Sequence, residues 1–154
     1  MKKYLIFLLI ATLLLSLSGC DAAGEHTPKP EQVQVVNPLM TVASVAEMEE
    51  MLDFPVPVLD KQIKSCIVLV IDGYPTNGRI RYADGSDFNI TYGSGDVSGI
   101  YGGVLEKSVE IQGVTVKIYT YDTLRYAIWE TGGFSYSLTG GADLESEIGA
   151  LLAS

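Results

Sequence analysis

The sequence predicts an α+β domain: an antiparallel β-meander sheet of about six or seven strands, with an N-terminal and a C-terminal helix packed on it. Three observations carry that prediction. From residue 67 to residue 138, short segments alternate apolar and polar side chains, the two-residue period of half-buried strands. Asp84-Gly85, Gln112-Gly113 and Gly132-Gly133 separate alternating runs, and such pairs suit tight hairpin turns. Helical stripes occur on either side of this region and not inside it.

The first helix begins at Ser44-Val45-Ala46-Glu47, a capping-box pattern in which the Ser44 hydroxyl accepts the Glu47 N–H and the Glu47 carboxylate reaches back. Val45, Met48 and Leu52 then share a face, with Met51 beside it, and Pro55 stops the helix near Asp53 by driving Phe54 extended. So short a helix needs a partner surface. Ile67-Val68-Leu69-Val70-Ile71 reads as a strand covered on both faces. In the next two segments Ile80 and Tyr82 oppose Arg79 and Arg81, and Phe88, Ile90 and Tyr92 oppose Asn89 and Thr91. A glycine-rich interruption runs from Gly93 to Gly103. Beyond it, Val109-Glu110-Ile111 turns into a strand with Val114, Val116 and Ile118 inward and Thr115, Lys117 and Tyr119 outward. Tyr126-Ala127-Ile128-Trp129 turns into a strand with Phe134, Tyr136 and Leu138 on one face. Leu144, Ile148, Leu151 and Leu152 make the closing helical stripe, after acids that suit a positive helix N-terminus. With one face of most strands polar, the helices are expected on one side and the other side partly open.

The N-terminus carries a different signal. Lys2 and Lys3 precede an apolar run from Leu5 to Leu17, too short for a membrane span of roughly 20 residues. Leu17-Ser18-Gly19-Cys20 resembles the lipobox of bacterial lipoproteins. That resemblance implies a signal peptide over residues 1–19, diacylglycerol on the Cys20 thiol, and cleavage just before it. Two or more acyl chains hold a protein stably on a membrane, whereas one holds it marginally. Residues 20–38, polar and interrupted by Pro28, Pro30 and Pro38, read as a lipidated flexible tether, and residues 39–154 as a single domain. Val33, Val35 and Val36 suggest a short edge strand at the tether's end. Asp21, after the acylated cysteine, resembles an inner-membrane retention mark of enteric-type envelopes. The expected location is the extracytoplasmic face of a cell membrane.

Composition limits the function. The chain carries a formal charge of −9, and removing the signal takes away two lysines and no acids. Such a surface argues against nucleic acid, which needs clustered Lys and Arg. Cys66 is the second of two cysteines, so acylation of Cys20 leaves no intrachain disulfide; within an apolar strand it reads as a buried, inert thiol. The single histidine, His26, falls in the tether, so neither a Ser-His-Asp nor a Cys-His set is available, and no Cys/His cluster suggests zinc. Asp72, Asp84, Asp87, Asp96 and Asp122 lie at strand ends and turns, where turn chemistry alone favours Asp, and the calcium-loop spacing is absent. No metal, cofactor or catalytic residue is expected. Asn89-Ile90-Thr91 fits a glycosylation acceptor pattern that says nothing in a bacterial lipoprotein.

The stretch NPLMTVASVAEMEEMLDFPVP, then RIRYADG, GSGDVSGIY, VTVKIYTYD and AIWETGGFSYSL, in that order, resemble the domain-of-unknown-function 4367 family, from about Asn37 to Leu152. The resemblance implies a domain found in bacterial lipoproteins and in the outer parts of anti-sigma-like membrane proteins, and brings no catalytic residue with it. Two sets of residues remain as binding candidates. Asp96, Ser98 and Tyr101 lie in the glycine-rich loop, which lacks the lysine of a phosphate-cradling loop. Tyr119, Tyr121 and Trp129 lie close in sequence, near Tyr126, and aromatics on an open sheet stack on sugars or clasp apolar ligands. The expected function is a lipid-anchored, non-enzymatic envelope module that binds another envelope protein or a small ligand. The alternatives are a carrier or sensor of an apolar or cell-wall-derived ligand, marked by an apolar cavity between sheet and helix, and a hydrolase using clustered acids.

Overall fold

The computed structural model describes residues 37–141 and 143–154. Strands β1 (Leu39–Val42), β2 (Ile63–Ile71), β3 (Tyr74–Tyr82), β4 (Asp87–Tyr92), β5 (Val104–Ile111), β6 (Val114–Tyr121), β7 (Leu124–Thr131) and β8 (Phe134–Gly140) form one antiparallel sheet. Helix α1 (Val45–Leu52) lies between β1 and β2, and α2 (Leu144–Leu152) follows β8. The fold is α+β as expected, with eight strands rather than six or seven. The extra one is β1, short and pressed against β2, with Leu39 opposite Leu69 and Val42 opposite Cys66. The suggested edge strand at Val33 to Val36 lies outside the described residues, as do His26, Asp21 and Cys20.

The spatial order β1-β2-β3-β4-β8-β7-β6-β5 is not a single meander. Two four-stranded meanders meet where β4 pairs β8, Tyr92 opposite Phe134 and Asp87 opposite Thr139. The chain therefore travels from β4 to the far edge between Gly93 and Gly103, past three intervening strands, about 19 Å at the usual strand spacing. The hairpin chemistry follows the sequence: Gln112 and Gly113 both have positive φ (52° and 80°), as do Gly132 and Gly133, the geometry of a turn whose twist matches its strands.

Helix α1 starts at Ser44 as its capping box predicts, with the returning bond made to Ala43 in place of Ser44. Ser44 Oγ accepts the Glu47 N–H at 3.2 Å, and Glu47 Oε2 accepts the N–H of Ala43 at 2.6 Å. It ends at Asp53, in the left-handed conformation. Met48 and Leu52 are buried against the sheet at Gly78, where a methyl group would come within 2.8 Å of Leu52 and 2.9 Å of Met48. Leu144, Ile148 and Leu151 bury the inner side of α2. Both helices share one core with Val68, Ile80, Phe88, Ile90, Val116, Ile118 and Leu138.

The opposite face departs from expectation at β2. Cys66 and Val68 are buried, but Ile67 and Leu69 are half-exposed and Ile71 exposed, so the strand is not covered on both faces. Among the described residues no helix lies over that side. The apolar run reflects a strand with a dry face and a shallow groove, which a continuous run does not distinguish from double burial.

Candidate functional site

The helix side of the sheet concentrates aromatics because the registers align them. Tyr92 opposes Phe134 across β4 and β8, and Trp129 opposes Tyr136 across β7 and β8. Trp129 and Tyr136 stack with centroids 5.3 Å apart and planes 7° from parallel; Phe134 meets Tyr92 edge-on at 5.6 Å and Phe54 at 4.8 Å. Burial pushes the Tyr136 phenol above its ordinary pKa.

A cleft of about 460 Å³ opens where this row meets the end of α2 and the irregular segment after α1. Its floor is Trp129, Phe134 and Tyr136; Pro55 to Val58 form one wall, and Leu151 with Leu152 another. The size falls within the usual range for small-molecule sites, about 300–1,000 Å³. The proline wall is tied at two points: the Val56 N–H donates to Glu49 Oε1 at 2.8 Å, and the Leu59 N–H to the Tyr82 hydroxyl at 3.0 Å. Trp129 is 2 % exposed, and its indole N–H has no hydrogen-bond acceptor among the described residues.

Below this wall, Lys61 joins three parts of the fold. Its ammonium lies 2.8 Å from Asp84 in the β3–β4 turn and 2.6 Å from Glu147 on α2. Burial works against the Lys61 charge, but hydrogen bonds to Asp84 and Glu147 outweigh it and raise its pKa. The hydrogen bond from Lys61, with those from Ser86, holds Asp84 well below the usual carboxylate range. Lysine occupies the space between the acids, which makes this a clamp on α2.

The other face is polar along β3, β4 and β8 and apolar at Ile67 and Leu69, and the glycine-rich loop crosses it. Gly93 N–H donates to Gly133, the Ser135 hydroxyl to the Gly93 carbonyl, and the Gly95 N–H to Glu130. At the loop's far end, a methyl group on Gly103 would overlap the Tyr126 hydroxyl, so only glycine lets the backbone lie this close. Asn89, Ser135 and Ser137 are buried although they lie away from the helices, with Asn89 donating to Ser137 at 3.2 Å. Within the loop, Asp96 accepts the Ser98 N–H and Ser98 Oγ the Ile100 N–H.

The six binding candidates are thus divided among three places. Asp96 and Ser98 edge a groove of about 470 Å³ on the open face, against Leu39, Ile67, Leu69 and Arg79. Tyr101 (89 % exposed) ends the loop, beside Gly102, which packs on Tyr121. Tyr119 stacks on Tyr126 on the same face. Trp129 does not join them. Its register partners Val116 and Tyr136 put it on the helix side, because an odd spacing from Tyr126 reverses the face. Sequence reasoning missed the roles of Phe134, Tyr136 and the Pro55–Val58 wall; the signal was Phe-x-Tyr on one strand facing a tryptophan across a two-glycine turn. Cys66 is free and buried, and burial raises its thiol pKa. No helix among the described residues is long and apolar enough to cross a membrane.

The chain matches no protein-family model, no curated protein and no solved structure.

Proposed function

We propose that this protein is a lipid-anchored, non-enzymatic binding module on the extracytoplasmic face of a cell membrane, and that it takes a small ligand. The observation that carries the binding part is the aromatic-floored cleft between the sheet, α2 and the proline wall. It answers to the mark set for a carrier or sensor, an apolar cavity between sheet and helix, and so favours a small ligand over a flat protein contact. The anchor rests on Leu17-Ser18-Gly19-Cys20 and the apolar run before it. The resemblance to the domain-of-unknown-function 4367 family rests on the order of the quoted stretches alone, since no family model matches the chain, and the envelope location is argued from the N-terminal motif.

Together these make a tethered receptor. Acylation at Cys20 confines the domain to a surface and raises its effective concentration near other envelope components. Cys20→Ser tests the anchor: the variant shifts out of the membrane fraction, and unchanged fractionation contradicts the proposal.

The exposed tyrosines support a second reading, a protein partner. Tyr101, Tyr121 and Val104 gather at the start of the edge strand β5, whose outer backbone groups face away from the sheet. Pull-down from solubilised membranes separates the two: Tyr101→Ala loses a captured protein in this reading and leaves the cleft reading untouched.

A further inference from the structure

We propose that the cleft binds a neutral, planar molecule bearing a carbonyl oxygen, and that this oxygen accepts the Trp129 indole N–H. The inference rests on the binding-module reading and names the ligand class. Three features define that class. First, the indole N–H is a buried donor without an acceptor among the described residues. Such a group has lost its hydration with nothing in return, and an acceptor brought by a ligand restores the missing hydrogen bond on binding. Second, the stacked Trp129–Tyr136 pair and Phe134 favour a flat apolar body over a branched one. Third, Glu49 lines the same cleft on a chain of charge −9, which disfavours a carboxylate or phosphate as the acceptor. A neutral carbonyl satisfies all three.

Because the indole nitrogen is covered, a neighbour must move for a ligand to reach it. Pro57 and Val58 are the least held. They lie between the ties at Val56 and Leu59, in a segment without regular structure, and Val58 is 41 % exposed.

The chain has one tryptophan, so a fluorinated indole reports this cleft alone. The full chain, held in phosphatidylcholine nanodiscs, is titrated with three probes of similar size: acetonaphthone (neutral carbonyl), ethylnaphthalene (no acceptor) and naphthoate (anion). Empty nanodiscs correct for partition into lipid. The ketone shifts the fluorine signal and binds up to about tenfold more tightly than the hydrocarbon, the worth of one net hydrogen bond, and naphthoate binds least. Trp129→Phe keeps a smaller aromatic ring and removes both the donor and the label; read by equilibrium dialysis, this variant binds ketone and hydrocarbon alike. An unmoved signal at saturating ketone, equal affinities for ketone and hydrocarbon, or tightest binding of naphthoate each overturns the proposal. The labelled native chain decides these even where the phenylalanine variant folds poorly. A bare Cys20 alongside a shifted signal removes the anchor and leaves the cleft standing.

Discussion

The two faces of the sheet share every strand and differ in what covers them. The helix side is dry: Phe88, Ile80, Val116 and Leu138 are buried beneath α1 and α2, and the aromatic row runs out from this core into the cleft. Among the described residues, the other side is covered by the glycine-rich loop, which is held by hydrogen bonds from Gly95 to Glu130 and from Ser135 to Gly93 and sets Asp96 and Ser98 at the edge of a groove. The difference teaches where each kind of function sits. A dry face that ends in a gap offers a shaped apolar site with one unanswered donor. A face under a loop offers adjustable contacts, and what it buries is polar, as at Asn89, Ser135 and Ser137. Stability belongs to the first and loop placement to the second.

Substitutions test that division. Phe88→Ala removes a fully buried ring that neighbours both Trp129 and Tyr136. It costs about 3–5 kcal/mol, read by denaturant unfolding; a loss below about 1 kcal/mol contradicts the assignment of the core to this face. Tyr82→Phe leaves the buried Leu59 N–H without its acceptor, at a cost of about 2 kcal/mol, and loosens the proline wall. Hydrogen exchange at Leu59 quickens, and an unchanged rate denies the tie. On the open face, Gly103→Ala costs about 1 kcal/mol, since the loop lifts where the core would strain. Adding Tyr126→Phe recovers part of that loss, because the overlap is with the hydroxyl; absence of any recovery contradicts the close approach.

The smallest effect concerns pH. Asp84 has its pKa depressed in the folded chain, so its contribution is present above the ordinary carboxylate value, about 4, and is lost as the pH falls toward its folded pKa. Lys61 has its pKa raised, so its contribution is present below about pH 10 and is lost as the pH rises through the folded value. Asp84→Asn therefore flattens the acid side of the curve of stability against pH and leaves the stability at neutral pH within about 1 kcal/mol of the parent, Asp84 being half exposed. An unaltered acid side sinks the clamp.

The dry face was largely legible in the residues. Its alternation, its hairpin pairs and both helical stripes come from short-range rules; Ser44 and Gln112-Gly113 behave as those rules require, and Asp84-Gly85 marks its hairpin but within a four-residue connection where Gly85 and not Asp84 has positive φ. The crossing from β4 to β5 was not. Gly93 to Gly103 reads locally as a flexible connection, and only the pairing of β4 with β8, a contact between distant segments, makes it span three strands. The same limit misplaced Trp129. Sequence proximity joined it to Tyr119 and Tyr121, while its position in the two-residue period of β7 sends it to the other side. β1 escaped notice because four residues carry too little pattern, and its pairing with β2 supplies what the pattern lacks.

A cleft of this kind acts as an envelope receptor only if the chain is held at a membrane, and the mass of the mature N-terminal peptide tests that most directly. The account predicts a chain that begins at Cys20 and carries a diacylglycerol on its thiol. A bare cysteine at that position, or a leader still attached, contradicts it.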